Sequence, residues 1–306
     1  MKIIYILFLF LFTIQSSIAQ SNLDQLNSYM QEVRDGSYDP VPQSILKEEA
    51  QTNELLTALV TYQNDSNAVI RTRAYNISKR IGQNHPEIAI RQQAINQQIK
   101  ALEDKDTGIM VKAINALTGF KNTDFTNNQQ LRIINRLKAD MPHLEKYARL
   151  VGYMPNEVAI EPLKQVQLQV TDGWESFNLN LALARRGDEQ ATTAVLNKIQ
   201  NAQINDAFVY DIVPVLVYTR SIDIFDFLEG LIFSDEANCS SANPDSNANI
   251  LCGYRIMEYI APALENFPLP IDEYGELEVD DYETALVRLR EWLIQNPDYQ
   301  LVNDNY

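Results

Sequence analysis

One apolar spacing recurs along this 306-residue chain and limits what it can fold into. Ala74, Ile77, Ser78 and Ile81 precede Gly82, and the same offsets return at Ala113, Ala116, Leu117 and Phe120, then at Tyr147, Leu150, Val151 and Met154. Shorter copies follow at Leu179, Ala182 and Leu183 and at Val213, Leu216 and Val217. Steps of three and four residues put such side chains on one stripe of an α-helix. The copies begin at 74, 113, 147, 179 and 213, which are 39, 34, 32 and 34 residues apart. That is the period of a helix-pair repeat, whose unit is too small to own a core and buries its apolar face against its neighbours. Strand-like alternation is nowhere sustained, so the expected fold class is all-α.

Helix and turn signals alternate in step with this period. An apolar pattern starts near Ile45, runs through Leu55, Leu56, Leu59 and Val60, and stops at Asn64-Asp65-Ser66-Asn67, side chains that end one helix and cap the next. Val69, Ile70, Ala74, Ile77 and Ile81 mark a second helix ending at Gly82, and Pro86 opens a third through Ile88, Ile90, Ala94, Ile95, Ile99 and Leu102. The alternation continues to about Glu265.

On these residues, 55–264 resemble a HEAT-type or armadillo-like array of the exported bacterial type. Asp65 followed by Ile70-Arg71, Ala74 and Ile81-Gly82 is similar to the family's second-helix phrase. Gly187-Asp188-Glu189-Gln190-Ala191 resembles its inter-repeat turn, with Pro155-Asn156-Glu157-Val158-Ala159 and Ser221-Ile222-Asp223 in the matching places. The resemblance implies an α-α superhelix, a right-handed solenoid of about five to six helix pairs. The chain departs from the pattern where Met110, Leu144, Ser176 and Tyr210 stand in the place of Arg71. An Asp–Arg ladder is therefore not expected to run through the stack, and apolar packing is left to hold it. A tetratricopeptide array would keep a nearly constant unit of about 34 residues, whereas these copies drift, and a plain bundle would keep no phase.

The last copy, Ile256, Tyr259 and Ile260, starts 43 residues after Val213, and its extra residues fall in a Ser-, Asn-, Asp- and Ala-rich segment, 234–249. Cys239 and Cys252, the only cysteines, bracket that insert and are expected to form a disulfide. A metal site uniting them with His85 and His143 would have to reach across several repeats. Asp245, Asn247 and Asn249 alternate like the opening of a calcium loop, but Ile250 and Ile256 occupy the places of its turn glycine and closing glutamate. The acidic run Asp272, Glu273, Glu276, Glu278, Asp280 and Asp281 has the oxygen ligands for a hard cation, but more often such a run is solvated surface, here leading into a helix N-terminus, and calcium binding at it is left open. No cofactor or metal is expected.

The N-terminus points to export. Lys2, the apolar run Ile3 to Ile14 and the small-residue ending Ser17-Ile18-Ala19 form a signal peptide cleaved near Ala19, leaving a secreted or periplasmic chain without a lipid-bearing cysteine at its start. No later segment is apolar over the roughly 20 residues of a transmembrane span. A formal charge of −16 without a basic stripe excludes nucleic acid as a partner. The expected partner is another exported protein or peptide; oligomeric state is left open.

No phosphate loop, nucleophile elbow or His-Glu-x-x-His helix is present, and His85 and His143 both sit beside prolines at helix starts, so the sequence reads as non-catalytic. Two readings from other classes stand beside this one: a carboxylate-dependent hydrolase or lyase, and a structural envelope protein without a discrete ligand. For binding, the second helices carry Tyr75, Trp174, Phe177, Tyr210 and Tyr254 and the arginines Arg71, Arg73, Arg185, Arg186, Arg220 and Arg255, the side-chain types that dominate interface energetics. Trp174, Tyr210, Arg255, Arg185 and Phe177 are the candidate surface, although about half of such residues serve packing, and Arg186 and Arg220 stand where they can cap carbonyls. After Pro268-Leu269-Pro270, the residues Tyr282, Ala285, Leu286, Leu289, Trp292 and Leu293 mark a final amphipathic helix expected to cap the array. The expected organisation is a signal peptide (1–19), an N-terminal segment (20–44), the repeat array (45–266), and an acidic linker with capping helix (267–306).

Overall fold

The structure, a computed structural model, describes residues 22–47, 51–241, 248–272 and 275–306. The signal-peptide residues and Asp245, Asn247 and Glu273 lie outside them. Among the described residues the chain forms fifteen α-helices and one two-stranded hairpin of two-residue strands. The chain is all-α, as its periodicity requires.

The helices are α1 (Asn22–Arg34), α2 (Gln43–Lys47), α3 (Thr52–Gln63), α4 (Ala68–Gly82), α5 (Ile88–Ala101), α6 (Thr107–Leu117), α7 (Asn127–Ile134) and α8 (Leu144–Tyr153). They continue with α9 (Ile160–Gln167), α10 (Gly173–Arg185), α11 (Glu189–Ile199), α12 (Val213–Tyr218), α13 (Ile222–Phe233), α14 (Gly253–Ile260) and α15 (Tyr282–Gln295). Each helix packs on at least one sequence neighbour, and α4, α6, α8, α10, α12 and α14 also touch one another in succession. The repeated apolar offsets supply these contacts: Ala74, Ile77, Ala113, Leu117, Tyr147, Leu150, Leu179, Ala182, Val213, Leu216 and Ile256 are all buried. Each large aliphatic side chain so buried contributes about 1.5–3 kcal/mol.

Local side chains set the boundaries. Asn67 caps α4 through the Val69 amide, Asp106 caps α6, Asp172 caps α10, Asp188 caps α11, and Thr126 with Gln129 forms a capping box on α7. One reading of this region changes. Ile45 belongs to the separate short helix α2, not to the helix of Leu55. α4 ends at Gly82, as its pattern predicts; Asn84 just beyond takes the left-handed conformation (φ 65°), and a Cβ on Gly82 would meet the Ala94 Cβ of α5 at 2.1 Å. Gly82 is required for the close approach of α4 and α5.

Electrostatics also contribute more than apolar spacing alone implies. Arg71 on α4 is bidentate to Asp104 in the α5–α6 turn at 2.7 and 2.8 Å, and it caps the carbonyls of Asp65 and Ser66. Arg91 on α5 repeats the device with Asp124 at 2.8 Å and the carbonyls of His85 and Pro86. At the other positions of that ladder Met110 and Leu144 are buried apolar side chains and Tyr210 is exposed.

The insert of the last copy forms the hairpin, β1 (Cys239–Ser240) against β2 (Asn249–Ile250), closed by the Cys239–Cys252 disulfide with Cα atoms 5.1 Å apart. Reduction should lower the unfolding free energy by about 3 kcal/mol in the chain-entropy account of so short a loop. Urea titrations with and without reductant measure this; equal midpoints would mean that the hairpin holds without its bond. Helix α15 packs on α13 and α14, and its Arg290 donates to the Ile232 and Ser234 carbonyls at the end of α13. The chain then turns back: Leu301 pairs with Leu264, and residues 302–306 run along the ends of α12, α10 and α8 to the turn after α6.

Candidate functional site

The five side chains expected to form a binding surface fall into three settings. Trp174, in the first turn of α10, is 45% exposed and lies 5.8 Å from the ring of Phe177. The two border an apolar cleft of about 240 Å³ with Ile199, Phe208 and Ile212. Tyr210 is 52% exposed on a π-helical turn, Phe208–Ile212, that leads into α12. Pro214 follows directly, and its missing N–H and ring disfavour regular α-helix there. Arg255 lies over the Tyr210 ring at 4.9 Å, pairs with Asp206 at 3.3 Å and donates to the Ser240 carbonyl at 2.6 Å. It thereby ties the disulfide hairpin to the turn before α12.

Two of the five do not offer free surface. Phe177 is 7% exposed because it stands one turn beyond Trp174 on the side of α10 that faces the cleft. Arg185 ends α10 between the rings of Tyr153 (5.0 Å) and Tyr218 (4.8 Å) and donates to the carbonyls of Tyr218 and Asn305. Its guanidinium is held below the ordinary arginine range by burial, and it has no carboxylate partner among the described residues. Tyr75 and Arg71 are likewise buried. Arg220 caps the Val217 carbonyl as expected and, in addition, reaches the returning chain.

That returning chain lies in a cleft of side-chain donors. The Val302 carbonyl accepts from Arg220 Nε at 2.7 Å, Asn303 from Asn122 Nδ2 at 2.8 Å, and Asn305 from Arg185 Nη2 at 2.6 Å. Asp304 O accepts from the Asn122 amide at 2.9 Å and from Tyr153 Oη at 2.8 Å. The Tyr306 ring is 4.8 Å from Tyr218 and 5.4 Å edge-on from Tyr153, and the Asp304 carboxylate meets Lys121 Nζ at 2.7 Å. Sequence reasoning did not anticipate this cleft, because Asn122 and Tyr153 lie over 150 residues from the segment they hold.

A second feature opens between α4 and α6, a groove of about 700 Å³ bordered by Arg73, Asn76 and Lys79 on one helix and Lys112 and Asn115 on the other. Its one carboxylate, Asp106, accepts from the Gly108 and Ile109 amides as a helix cap. Arg73, Lys79 and Lys112 form no ion pair among the described residues. Polar residues at three- and four-residue steps, Thr72, Asn76 and Lys79, mark this stripe in the sequence. No helix among the described residues is long and apolar enough to cross a membrane. No family model and no curated protein matches the sequence, and the resemblance to HEAT and armadillo arrays rests on its residues alone.

Proposed function

We propose that this chain is an exported, HEAT-like solenoid that acts as a binding scaffold, gripping an extended acidic segment of another exported protein between α4 and α6. The observation that carries the reading is the α4–α6 groove with three cations that no carboxylate among the described residues neutralises. The succession of contacts from α4 to α14 supports the solenoid, because each unit meets chiefly its neighbours. The disulfide supports export, since such bonds persist in oxidising compartments. The overall charge of −16 does not oppose an acidic partner at the groove. At physiological ionic strength charges beyond about 8 Å are largely screened, so the three nearby cations dominate what a docked segment feels.

The test begins with a photo-crosslinking side chain at Asn76 or Asn115 in the exported protein and identification of the captured partner. Calorimetry with the purified partner segment then compares the wild-type chain with Lys79→Glu/Lys112→Glu. The double reversal should weaken binding at least tenfold and leave thermal unfolding unchanged. Equal affinity in the two proteins, or equal capture from a position on α3, would refute the groove as the binding site. If export holds, the N-terminus of the mature protein should read Gln20, one residue beyond the expected cleavage.

A further inference from the structure

We propose that the cleft formed by Asn122, Tyr153, Arg185, Tyr218 and Arg220 is a peptide-recognition site, loaded in cis by residues 301–306, that accepts in trans an extended peptide with an aromatic residue two positions after an aspartate. This proposal concerns a different surface from the α4–α6 groove and does not depend on it.

Three observations carry it. First, every main-chain oxygen from Val302 to Tyr306 accepts from a donor of the cleft, mostly a side chain and not a helix or sheet partner, so the site reads the backbone of an extended chain. This is how peptide-binding domains gain affinity that does not depend on side-chain sequence. Second, two positions are read by side chain. The Tyr306 ring lies against Tyr153 and Tyr218, and Asp304 meets Lys121. The aromatic contact buries area and supplies affinity, whereas the exposed Lys121 pair contributes chiefly selectivity. Third, Arg185 and Arg220 meet main-chain oxygens here and no side-chain carboxylate among the described residues. The Tyr218 and Val217 carbonyls satisfy only part of each guanidinium, and leaving the other enclosed N–H groups unpaired is costly, so the cleft favours an occupant that supplies main-chain oxygens.

The segment in place is joined to α15 by a short connection, residues 296–300, and so competes at a high effective concentration, of millimolar order for a short flexible linker. A peptide in trans therefore binds the unaltered chain weakly, in proportion to the fraction of cleft that stands open. Weakening the resident segment at a position that does not build the cleft removes that competition.

The probe is a fluorescent synthetic peptide of sequence Leu-Val-Asn-Asp-Asn-Tyr, titrated into the full chain, into Tyr306→Ala and into Asp304→Ala. Affinity should rise at least tenfold in Tyr306→Ala and to a lesser extent in Asp304→Ala, and a probe ending in Ala instead of Tyr should lose at least tenfold. Hydrogen exchange of the unaltered chain supplies a readout free of any substitution. Millimolar unlabelled peptide should speed exchange in 296–306 while the Asn122 amide stays protected. The proposal is overturned if the probe binds no variant that retains wild-type circular dichroism, or if 296–306 exchanges only with global unfolding. Concentration-dependent dimers that form without any probe binding would also overturn it, in favour of tail exchange between copies.

Discussion

Arg71→Met should lower the unfolding free energy by about 3–5 kcal/mol, the cost of breaking a buried ion pair from one side. Both partners are almost fully enclosed, with side-chain exposures of 6% for Arg71 and 5% for Asp104. The loss also removes the donors to the Asp65 and Ser66 carbonyls that precede α4. Replacing both partners, Arg71→Met with Asp104→Leu, should recover part of the loss, because no unpaired charge then remains buried. Urea titrations monitored by helicity measure both values. A single variant within about 0.5 kcal/mol of wild type, the range of an ordinary surface substitution, would show that solvent reaches this pair.

The pH dependence of that difference has a definite sign. Burial alone would raise the Asp104 carboxyl, but hydrogen bonds from Arg71 and the Asp106 amide outweigh it and hold the group below its ordinary value of 3.8. A carboxyl depressed by folding binds fewer protons folded than unfolded, so its contribution is complete above about pH 4 and fades as pH falls through the folded value. In Arg71→Met the Asp106 amide and Lys105 still oppose burial but the guanidinium is gone, so the carboxyl sits higher than in wild type and the variant regains stability relative to wild type on acidification. The gap between the two proteins should be widest near neutrality and should narrow below about pH 5.

Gly152→Ala should be strongly destabilising, by about 3 kcal/mol, the upper part of the range for overpacking. A Cβ there would lie 2.5 Å from Tyr218 Oη, 2.7 Å from the Ala182 carbonyl and 2.8 Å from the Ala182 Cα. Two of these three are backbone atoms, so α8 and α10 must move apart. The displaced Tyr218 donates to the Arg149 carbonyl and packs on Tyr306, so the damage should extend to the cleft of the returning segment. Gly230→Ala is the control: a Cβ there meets nothing within 4 Å in the exposed part of α13, so the protein should gain about 0.5–1 kcal/mol from helix propensity. Thermal unfolding of the two variants separates the effects; equal shifts would refute the close approach of α8 and α10.

The sequence by itself determined the features governed by nearby residues. Apolar stripes at three- and four-residue steps specified buried helix faces, because side chains so spaced share a face in any α-helix. Asn67, Asp106 and Asp188 specified helix starts, since a cap acts on amides two or three residues away. Cys239 and Cys252, a lone pair around one insert, specified their own bond. The α4–α6 groove was half legible, as a polar stripe on each helix, but which stripes would face one another was not.

The tertiary structure alone decided what lies opposite each side chain. Arg185 carries the same chemistry whether it faces solvent or the Asn305 carbonyl 120 residues away, and only the packing of α8, α10 and α12 made it part of a cleft. Phe177 was displaced from the candidate surface for a similar reason: its face of α10 is covered by segments that follow later in the chain. Asn122, Tyr153 and the segment 301–306 carry no local signal of their meeting. A hydrogen bond across 181 residues depends on the summed geometry of every helix between its ends, and no spacing within the sequence encodes that sum.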